Sequence, residues 1–258
     1  MASDEELEPT PTGMAWVREV VRAWAPAILA VFIIRAFIFE PFRIPSSSMV
    51  PTLLVGDHVL VTKFSYGVWL HFPFPRKLGI KSVEVLDLGD PERGDIIVFR
   101  YPENEALTYI KRVVALSGDR IRVKNNQIFL NDAPVERKYT GQYDFVDDRC
   151  RTHKARHYIE DLPGTPHEKL TNLGGGGFLA DMDEITVPPD SVFVMGDNRD
   201  NSEDSRRWKF VRFDQVKGKA RFIWLSLDFC SGGWPFDIRG ERAFRGLYGE
   251  PDSVEPAP

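Results

Sequence analysis

The stretch Pro45-Ser46-Ser47-Ser48-Met49-Val50-Pro51 holds three serine hydroxyls between two prolines. Proline fixes φ and drives the preceding residue toward extended backbone, so we predict a stiff, non-helical loop that displays its hydroxyls. A serine-rich stretch between prolines is also typical of a linker. We nevertheless expect this loop to pack against a core, because apolar residues surround it: Phe42, Ile44, Met49, Val50, Leu53 and Leu54. A hydroxyl held in this way is a candidate nucleophile.

A serine hydroxyl is a weak nucleophile until a base removes its proton. The sequence has no Gly-x-Ser-x-Gly motif and no convincing His-Asp pair, so we do not predict a Ser-His-Asp triad. A lysine can act instead where burial disfavours its ammonium form. Lys111 interrupts an apolar strand pattern between Ile110 and Val113, but a lysine that points to solvent fits this pattern equally well. The residues alone make a Ser-Lys dyad a candidate.

Other chemistry finds little support in the sequence. Three histidines within 153–167 and the nearby Cys150 follow no standard zinc spacing, so we predict no metal site and no cofactor. The glycines of 174–177 precede no Lys-Ser/Thr and form no phosphate loop. Cys150 and Cys230 could pair in an exported chain or be buried singly. With a net charge of −5 and no basic cluster among aromatics, nucleic acid is not an expected partner.

The elements that must position these residues follow from length and hydropathy. The 258 residues, 43% of them hydrophobic, are enough for one sizeable folded body with a small appendage. We predict a disordered acidic tail over 1–15, a transmembrane anchor over 16–39, a β-rich body over 40–249 and a disordered tail over 250–258.

The predicted anchor is a nearly continuous apolar run, and a helix of roughly 20 residues spans the hydrocarbon layer of a bilayer. Arg18 and Arg22 precede the run, which favours a cytoplasmic N-terminus and places everything after Glu40 outside the cytoplasm. A cleavable signal peptide is disfavoured by the bulky residues and proline of 39–43. The aromatic segment 68–75 predicts contact with lipid headgroups, with a hydrophobic cluster beneath a loop as the alternative.

After the anchor the sequence is β-like, with no long helical pattern. Strand patterns occur at 57–64, 96–101, 107–116, 192–195 and 219–226, and a hairpin with an Asn125-Asn126 turn is predicted at 121–131. Periodicity is weak over about 133–186, which we interpret as a variable insertion or a second sheet. The fold class is therefore mainly β, an antiparallel β-rich body preceded by one N-terminal transmembrane helix.

Four motifs occur in an order that resembles the bacterial type I signal peptidases, or leader peptidases: Pro45–Leu53, Arg93–Asp95, Tyr109–Arg112 followed by Gly118-Asp119, and Gly196–Arg206. The resemblance extends from the end of the anchor to about Trp224. It implies a membrane-bound serine endopeptidase with a Ser-Lys dyad. Such an enzyme cuts signal peptides from exported preproteins after small residues at −3 and −1. The implied location is the bacterial cytoplasmic (inner) membrane.

The resemblance also implies roles for residues of this chain. Ser48 falls at the nucleophile and Lys111 at the general base. The Ser46 hydroxyl would join the Ser48 N–H in an oxyanion hole, and Ser202 would orient the lysine. Asp204 and Arg206 would support the site. Five residues would line shallow apolar pockets for the substrate: Ile44, Met49, Leu53, Tyr109 and Ile110.

The chain departs from the family pattern in two respects. Many members have two anchors where one is predicted here, and Ser47 stands where glycine is common. Two other functions remain open. One is a self-cleaving Ser-Lys peptidase like the LexA-type repressors, which the membrane segment and the lack of a helix-turn-helix disfavour. The other is a tethered β-rich binding module, which would have lost the dyad.

Overall fold

The computed structural model describes residues 13–33, 39–70, 83–86, 88–177, 179–233 and 235–249. The chain forms two compact units, Met1–Phe39 and Glu40–Pro258. Helix α1, Met14–Ile33, is the described part of the first unit. Across the described ranges, no helix combines the length and the hydropathy needed to cross a bilayer. The predicted anchor continues through 34–38, which lie outside the described residues, as do 1–12, 71–82 and 250–258.

Antiparallel strands dominate the second unit, which confirms the β-rich class predicted from the sequence. In chain order the strands are β1 Phe39–Arg43, β2 Asp57–Thr62, β3 Val68–Leu70, β4 Val83–Leu86, β5 Ile96–Tyr101, β6 Asn104–Ala115, β7 Arg120–Lys124, β8 Gln127–Leu130, β9 Ala133–Pro134, β10 Glu136–Val146, β11 Thr152–Leu162, β12 Thr165–Asn172, β13 Met182–Thr186, β14 Ser191–Met195, β15 Val211–Arg212, β16 Val216–Asp228, β17 Asp237–Ile238 and β18 Arg245–Gly246. A short helix α2, Ser205–Trp208, lies between β14 and β15.

The main sheet has the order β1-β2-β16-β5-β6-β14-β15, and β17 and β18 also pair with β16. Its centre is β5, whose first four residues are all buried. An unbroken apolar run of this kind is typical of a strand covered on both faces. Strand β6 lies beside it, and Lys111 is paired with Ile97 in the register. The backbone of the candidate lysine is therefore held rigidly in the middle of the sheet.

The second sheet is β10-β11-β12, formed within the weakly periodic region 133–186. Most residues of β10 are exposed on both faces, so its sequence lacks the apolar alternation that identifies a half-buried strand. Another sheet has the order β13-β7-β8-β9, and β3 pairs with β4. The β7–β8 hairpin confirms the predicted turn, because Asn125 and Asn126 both have positive φ, as a type I′ turn requires.

A disulfide joins Cys150 to Cys230, a pairing that the sequence leaves open. Cys150 lies in the connection between β10 and β11, and Cys230 follows the end of β16. The bond therefore connects the second sheet to the segment that leaves the main sheet.

Candidate active site

The serine loop packs against the core, as predicted. Met49 and Leu53 are fully buried in a cluster that includes Val59 of β2, Ile96 of β5 and Ile223 of β16. The loop is not wholly non-helical, because Ser47–Met49 form a single 3-10 turn closed by the bond from Val50 N to Ser47 O. The buried apolar side chains on either side hold this turn, so the Ser48 hydroxyl is fixed relative to the main sheet.

Lys111 points into the protein, which decides between the two orientations that the strand pattern allows. The residue is only 4% exposed. Its Nζ lies 2.6 Å from Ser48 Oγ, within hydrogen-bond distance. Burial lowers the pKa of Lys111 to about 8, although the nearby Asp204 and Asp197 act to raise it. A substantial fraction of this amine is therefore neutral at mildly alkaline pH.

Ser46 lies next to the nucleophile candidate, with its Oγ 3.4 Å from Ser48 Oγ. Ser46 is exposed, whereas Ser47 and Ser48 are buried. Ser202 is also buried, and its hydroxyl acts on the carboxylate of Asp204, whose pKa it helps to lower. The role of Ser202 in orienting Lys111 stays a prediction.

The polar corner, which we define as residues 196–206, depends on a glycine at its first position. A Cβ on Gly196 would lie 2.3 Å from Ser202 Oγ and 2.5 Å from the Ser48 carbonyl oxygen. Both separations are far below normal contact distances. The Ser202 side chain therefore packs against Gly196, and the close approach of the corner to the serine loop requires a residue without a side chain.

Asp204 and Arg206 form a buried ion pair of 2.8 Å inside this corner. Asp204 also accepts hydrogen bonds from the backbone N–H of Gly196 and of Arg206, and so caps helix α2. Burial acts to raise the pKa of Asp204, but Arg206, the Gly196 N–H and Ser202 together outweigh burial and hold this pKa below its ordinary value. Both residues stabilise the corner without touching Ser48 or Lys111 in any described hydrogen bond.

A second buried ion pair connects three segments of the site. Arg112, the neighbour of Lys111, donates from Nε and Nη2 to the two carboxylate oxygens of Asp197, at 2.9 and 2.7 Å. Thr52 Oγ1 donates to the same carboxylate at 2.5 Å. This network ties β6, the serine loop and the polar corner together. No role was predicted for these three residues from the sequence, although all of them lie within the four motifs.

Asn198 holds the backbone of the serine loop directly. Its N–H donates to the Ser48 carbonyl and its Nδ2 donates to the Ser47 carbonyl, each at 3.1 Å. The density of short polar side chains in this region was the only sequence signal for such a role.

The five predicted pocket residues separate into two groups. Ile44, Met49 and Leu53 are buried in the core cluster below the loop, whereas Tyr109 and Ile110 on β6 are partly exposed. Of the five, only Tyr109 and Ile110 keep accessible surface, and the Tyr109 ring centre lies 5.7 Å from Lys111 Nζ. In the described part of the chain, no group of three or more His, Cys, Asp or Glu side chains is placed to hold a metal ion.

The fold and the site together define a β-rich protein in which a buried lysine contacts a serine hydroxyl. Residues 17–225 match the family described as signal peptidase, peptidase S26. The chain belongs to this family, which is a family of serine peptidases.

Relatives named signal peptidase I extend this match. The chain is 37% identical over 219 residues to that of Pseudomonas fluorescens, covering 81% of this chain and 72% of the relative. It is 38% identical over 273 residues to the signal peptidase I of Buchnera aphidicola subsp. Acyrthosiphon pisum, and this alignment covers 92% of this chain and 84% of the relative. A crystal structure of a signal peptidase I from Enterococcus faecalis aligns with a TM-score of 0.31 and 24% identity, over 50% of this chain and 96% of that one.

Proposed function

We propose that this protein is a membrane-bound signal peptidase I, which removes N-terminal signal peptides from exported preproteins with Ser48 as nucleophile and Lys111 as general base. The observation that carries the proposal is the 2.6 Å contact between Lys111 Nζ and Ser48 Oγ in a buried site. Family membership supports the reaction class. The geometry supports the choice of residues, because a nucleophile and its base must lie within hydrogen-bond distance.

The chemical steps follow from the protonation state of the lysine. When Lys111 is neutral, the Ser48 hydroxyl donates its proton to Nζ as Oγ attacks the carbonyl carbon of the scissile bond. The resulting ammonium then gives this proton to the departing amine, and an ester of Ser48 remains. A water molecule attacks the ester with the same lysine as base, which releases the signal peptide and restores the hydroxyl.

The tetrahedral intermediate places negative charge on the former carbonyl oxygen. We assign its stabilisation to the hydroxyl of the exposed Ser46 and to the N–H of Ser48 itself. Donors of this kind are each worth about 3 to 4 kcal/mol in serine peptidases. Tyr109 and Ile110 expose apolar surface beside the dyad. Shallow pockets at this position would admit small residues at −3 and −1 and exclude larger ones by steric clash.

The proposal includes attachment to the bacterial cytoplasmic membrane through 16–39, with the lipid bilayer as a second partner. Its support is the apolar sequence of this segment and the exposure of Trp24, Ile28 and Leu29 on α1. The N-terminus would be cytoplasmic, because Arg18 and Arg22 precede the apolar run. The catalytic body would then lie on the extracytoplasmic side, where disulfides such as Cys150–Cys230 persist.

Cleavage of a preprotein with an Ala-X-Ala site, in detergent, tests the proposal. The full-length wild type, Ser48→Ala and Lys111→Met are compared after each has been shown to fold by circular dichroism. We expect site-specific cutting by the wild type and its loss in both variants. An inert wild type, or normal cutting by Lys111→Met, would refute the assignment of the dyad.

A further inference from the structure

We propose that Glu160, on β11 of the second sheet, is a positioning residue for the nucleophile, acting through Arg199 and the polar corner. The inference rests on the proposed function, since it concerns the serine that this function uses. Nothing in the sequence around Glu160 indicates such a role.

Glu160 is a fully buried carboxylate with three cationic or imidazole neighbours. Its Oε1 accepts from Arg199 Nη1 at 3.1 Å and its Oε2 accepts from Arg199 Nη2, so the contact is bidentate. Lys169 Nζ donates to Oε1, and His167 Nε2 lies 3.4 Å from Oε2. Burial alone would raise the pKa of Glu160, but Arg199 and Lys169 hold it well below its ordinary value. The carboxylate is therefore charged, and it fixes the planar guanidinium of Arg199.

Arg199 continues the connection into the polar corner, to which it belongs. Its Nε donates to the Gly196 carbonyl at 3.2 Å, and its own carbonyl accepts from Arg206 Nη2. Lys169 itself donates no hydrogen bond to the corner: its Nζ donates to the Asn126 carbonyl, and only the Asn126 side chain goes on to donate to Asp200 Oδ1. Two equally buried cations thus neutralise one carboxylate, and of the two it is Arg199 that bonds to the corner.

The corner in turn holds the nucleophile. Asn198, which directly precedes Arg199, donates hydrogen bonds to the carbonyls of Ser47 and Ser48. Leu170 of β12 donates its N–H to the Asp197 carbonyl at 2.9 Å, so the second sheet supports the same turn at another point. Loss of the Glu160 carboxylate would release Arg199 and shift the peptide groups that orient Ser48.

This path predicts an effect on turnover rather than on binding. The apolar surface beside the dyad comes from the main sheet, which Glu160 does not contact in any described hydrogen bond or ion pair. Small displacements of a reacting group can reduce rates by about 10- to 100-fold without changing the binding surface. We therefore expect Glu160→Gln to lower kcat by this factor and to leave KM unchanged.

Lys169→Met is the matched control. It removes a buried partner of the same carboxylate and is expected to lower the melting temperature as Glu160→Gln does, but it leaves Arg199 bound to Glu160. We expect Lys169→Met to retain the wild-type kcat at temperatures well below melting. Equal loss of kcat in the two variants, or wild-type kcat in folded Glu160→Gln, would overturn the proposal.

Two further measurements keep the test decisive. If Glu160→Gln fails to fold, Glu160→Asp takes its place, because it retains the charge but shortens the side chain. A partial loss of kcat at constant KM is expected, and wild-type kcat in Glu160→Asp would refute the role of Glu160.

Hydrogen exchange at the Asn198 amide reports the geometry of the polar corner without any cleavage. We expect faster exchange in the Glu160 variants and an unchanged rate in Lys169→Met. If the wild type is inert, the proposed function fails, and this exchange rate alone decides on Glu160.

Discussion

Two buried lysines lie in different sheets of this protein, Lys111 in the main sheet and Lys169 in the second sheet, and their surroundings differ in kind. Burial lowers the pKa of Lys111 to about 8 and that of Lys169 to about 7. A lowered pKa therefore does not distinguish them. Lys111 contacts the hydroxyl of Ser48, whereas Lys169 contacts the carboxylate of Glu160. The group that a buried lysine contacts, more than its pKa, therefore indicates whether the lysine is a general base or a member of an ion pair.

Access to substrate follows the same division. Ser48, the partner of Lys111, lies 3.4 Å from the hydroxyl of the exposed Ser46. Lys169, on β12, is fully buried, and so is its partner Glu160. The main sheet thus holds a site in which a neutral amine is useful, and the second sheet holds a charged network that gives rigidity.

Replacing each lysine with arginine should produce the largest difference in activity between the two sites. Arginine keeps the positive charge but does not lose its proton in proteins. Lys111→Arg is expected to lower kcat/KM by about 10²- to 10⁴-fold, the usual contribution of a general base. Lys169→Arg preserves the charge that faces Glu160 and should retain activity. Steady-state cleavage of the preprotein measures both, and comparable activity of the two variants would contradict the comparison.

Removing the disulfide should affect the support of the second sheet and leave the dyad intact. Cys150 and Cys230 are 80 residues apart, so their bond closes a long loop in the unfolded chain. Replacing both with serine is expected to lower the free energy of unfolding by about 4 kcal/mol. Because Glu160 and Arg199 remain paired, kcat well below the melting temperature should not change. Denaturant unfolding and cleavage assays on the same samples provide the check, and a parallel loss of kcat would speak against it.

Replacing the lysines with methionine should change stability in opposite directions. The pKa of Lys111 is lower in the folded protein than its ordinary 10.5, so the unfolded chain binds more protons between pH 8 and 10.5. Wild-type stability contributed by this residue therefore rises with pH across that window. Lys111→Met should be more stable at pH 7, by on the order of 2 to 3 kcal/mol, with a gain that shrinks as the pH approaches 10.

Lys169→Met should instead be less stable at pH 7, because the buried Glu160 carboxylate and the Asn126 carbonyl both lose the hydrogen-bond donor that Lys169 Nζ supplies. Thermal unfolding of the two variants at pH 7 and pH 10 gives the comparison. If the gain in stability of Lys111→Met did not depend on pH, the pKa of Lys111 would not be lowered in the folded protein.

A smaller effect is expected where the polar corner touches the serine loop. Gly196→Ala places a Cβ against the Ser48 carbonyl oxygen, so we expect about a tenfold loss of kcat through displacement of the loop. Gly174 follows the second sheet, and a Cβ there would have no atom within 4 Å. Gly174→Ala is therefore the control and should behave as wild type. Full activity of Gly196→Ala would show that the corner does not position the nucleophile.

From the sequence, the proposed dyad was easier to find than its support, for physical reasons. Lys111 stood out as a charge within an apolar strand, whereas the three serines of the loop stood out together, and only the resemblance to the family singled out Ser48. The inward orientation of Lys111 was undecided, because side-chain direction depends on which face the rest of the sheet covers. That Ile44 and Met49 belong to the core rather than to an open surface depends likewise on tertiary packing.

The second sheet illustrates the opposite case. The region of about 133–186 lacks apolar periodicity in part because much of β10 is exposed, so the sequence left open whether it was a variable insertion or a second sheet. Glu160 and Lys169 are buried only because Arg199, about forty residues later, neutralises the carboxylate. Long-range pairing of this kind leaves no mark on the local sequence. The same limit applies to Cys150 and Cys230, whose pairing was open until the fold brought them together.

The pH dependence of kcat/KM for the wild type and for Lys169→Met tests the central claim most directly. Because the base must be neutral, kcat/KM should rise about tenfold per pH unit below pH 8 and level off above it. Both proteins should show the same midpoint near the Lys111 pKa of about 8. A profile without this rise, or a midpoint that moves in Lys169→Met, would contradict the assignment of Lys111 as the general base of Ser48.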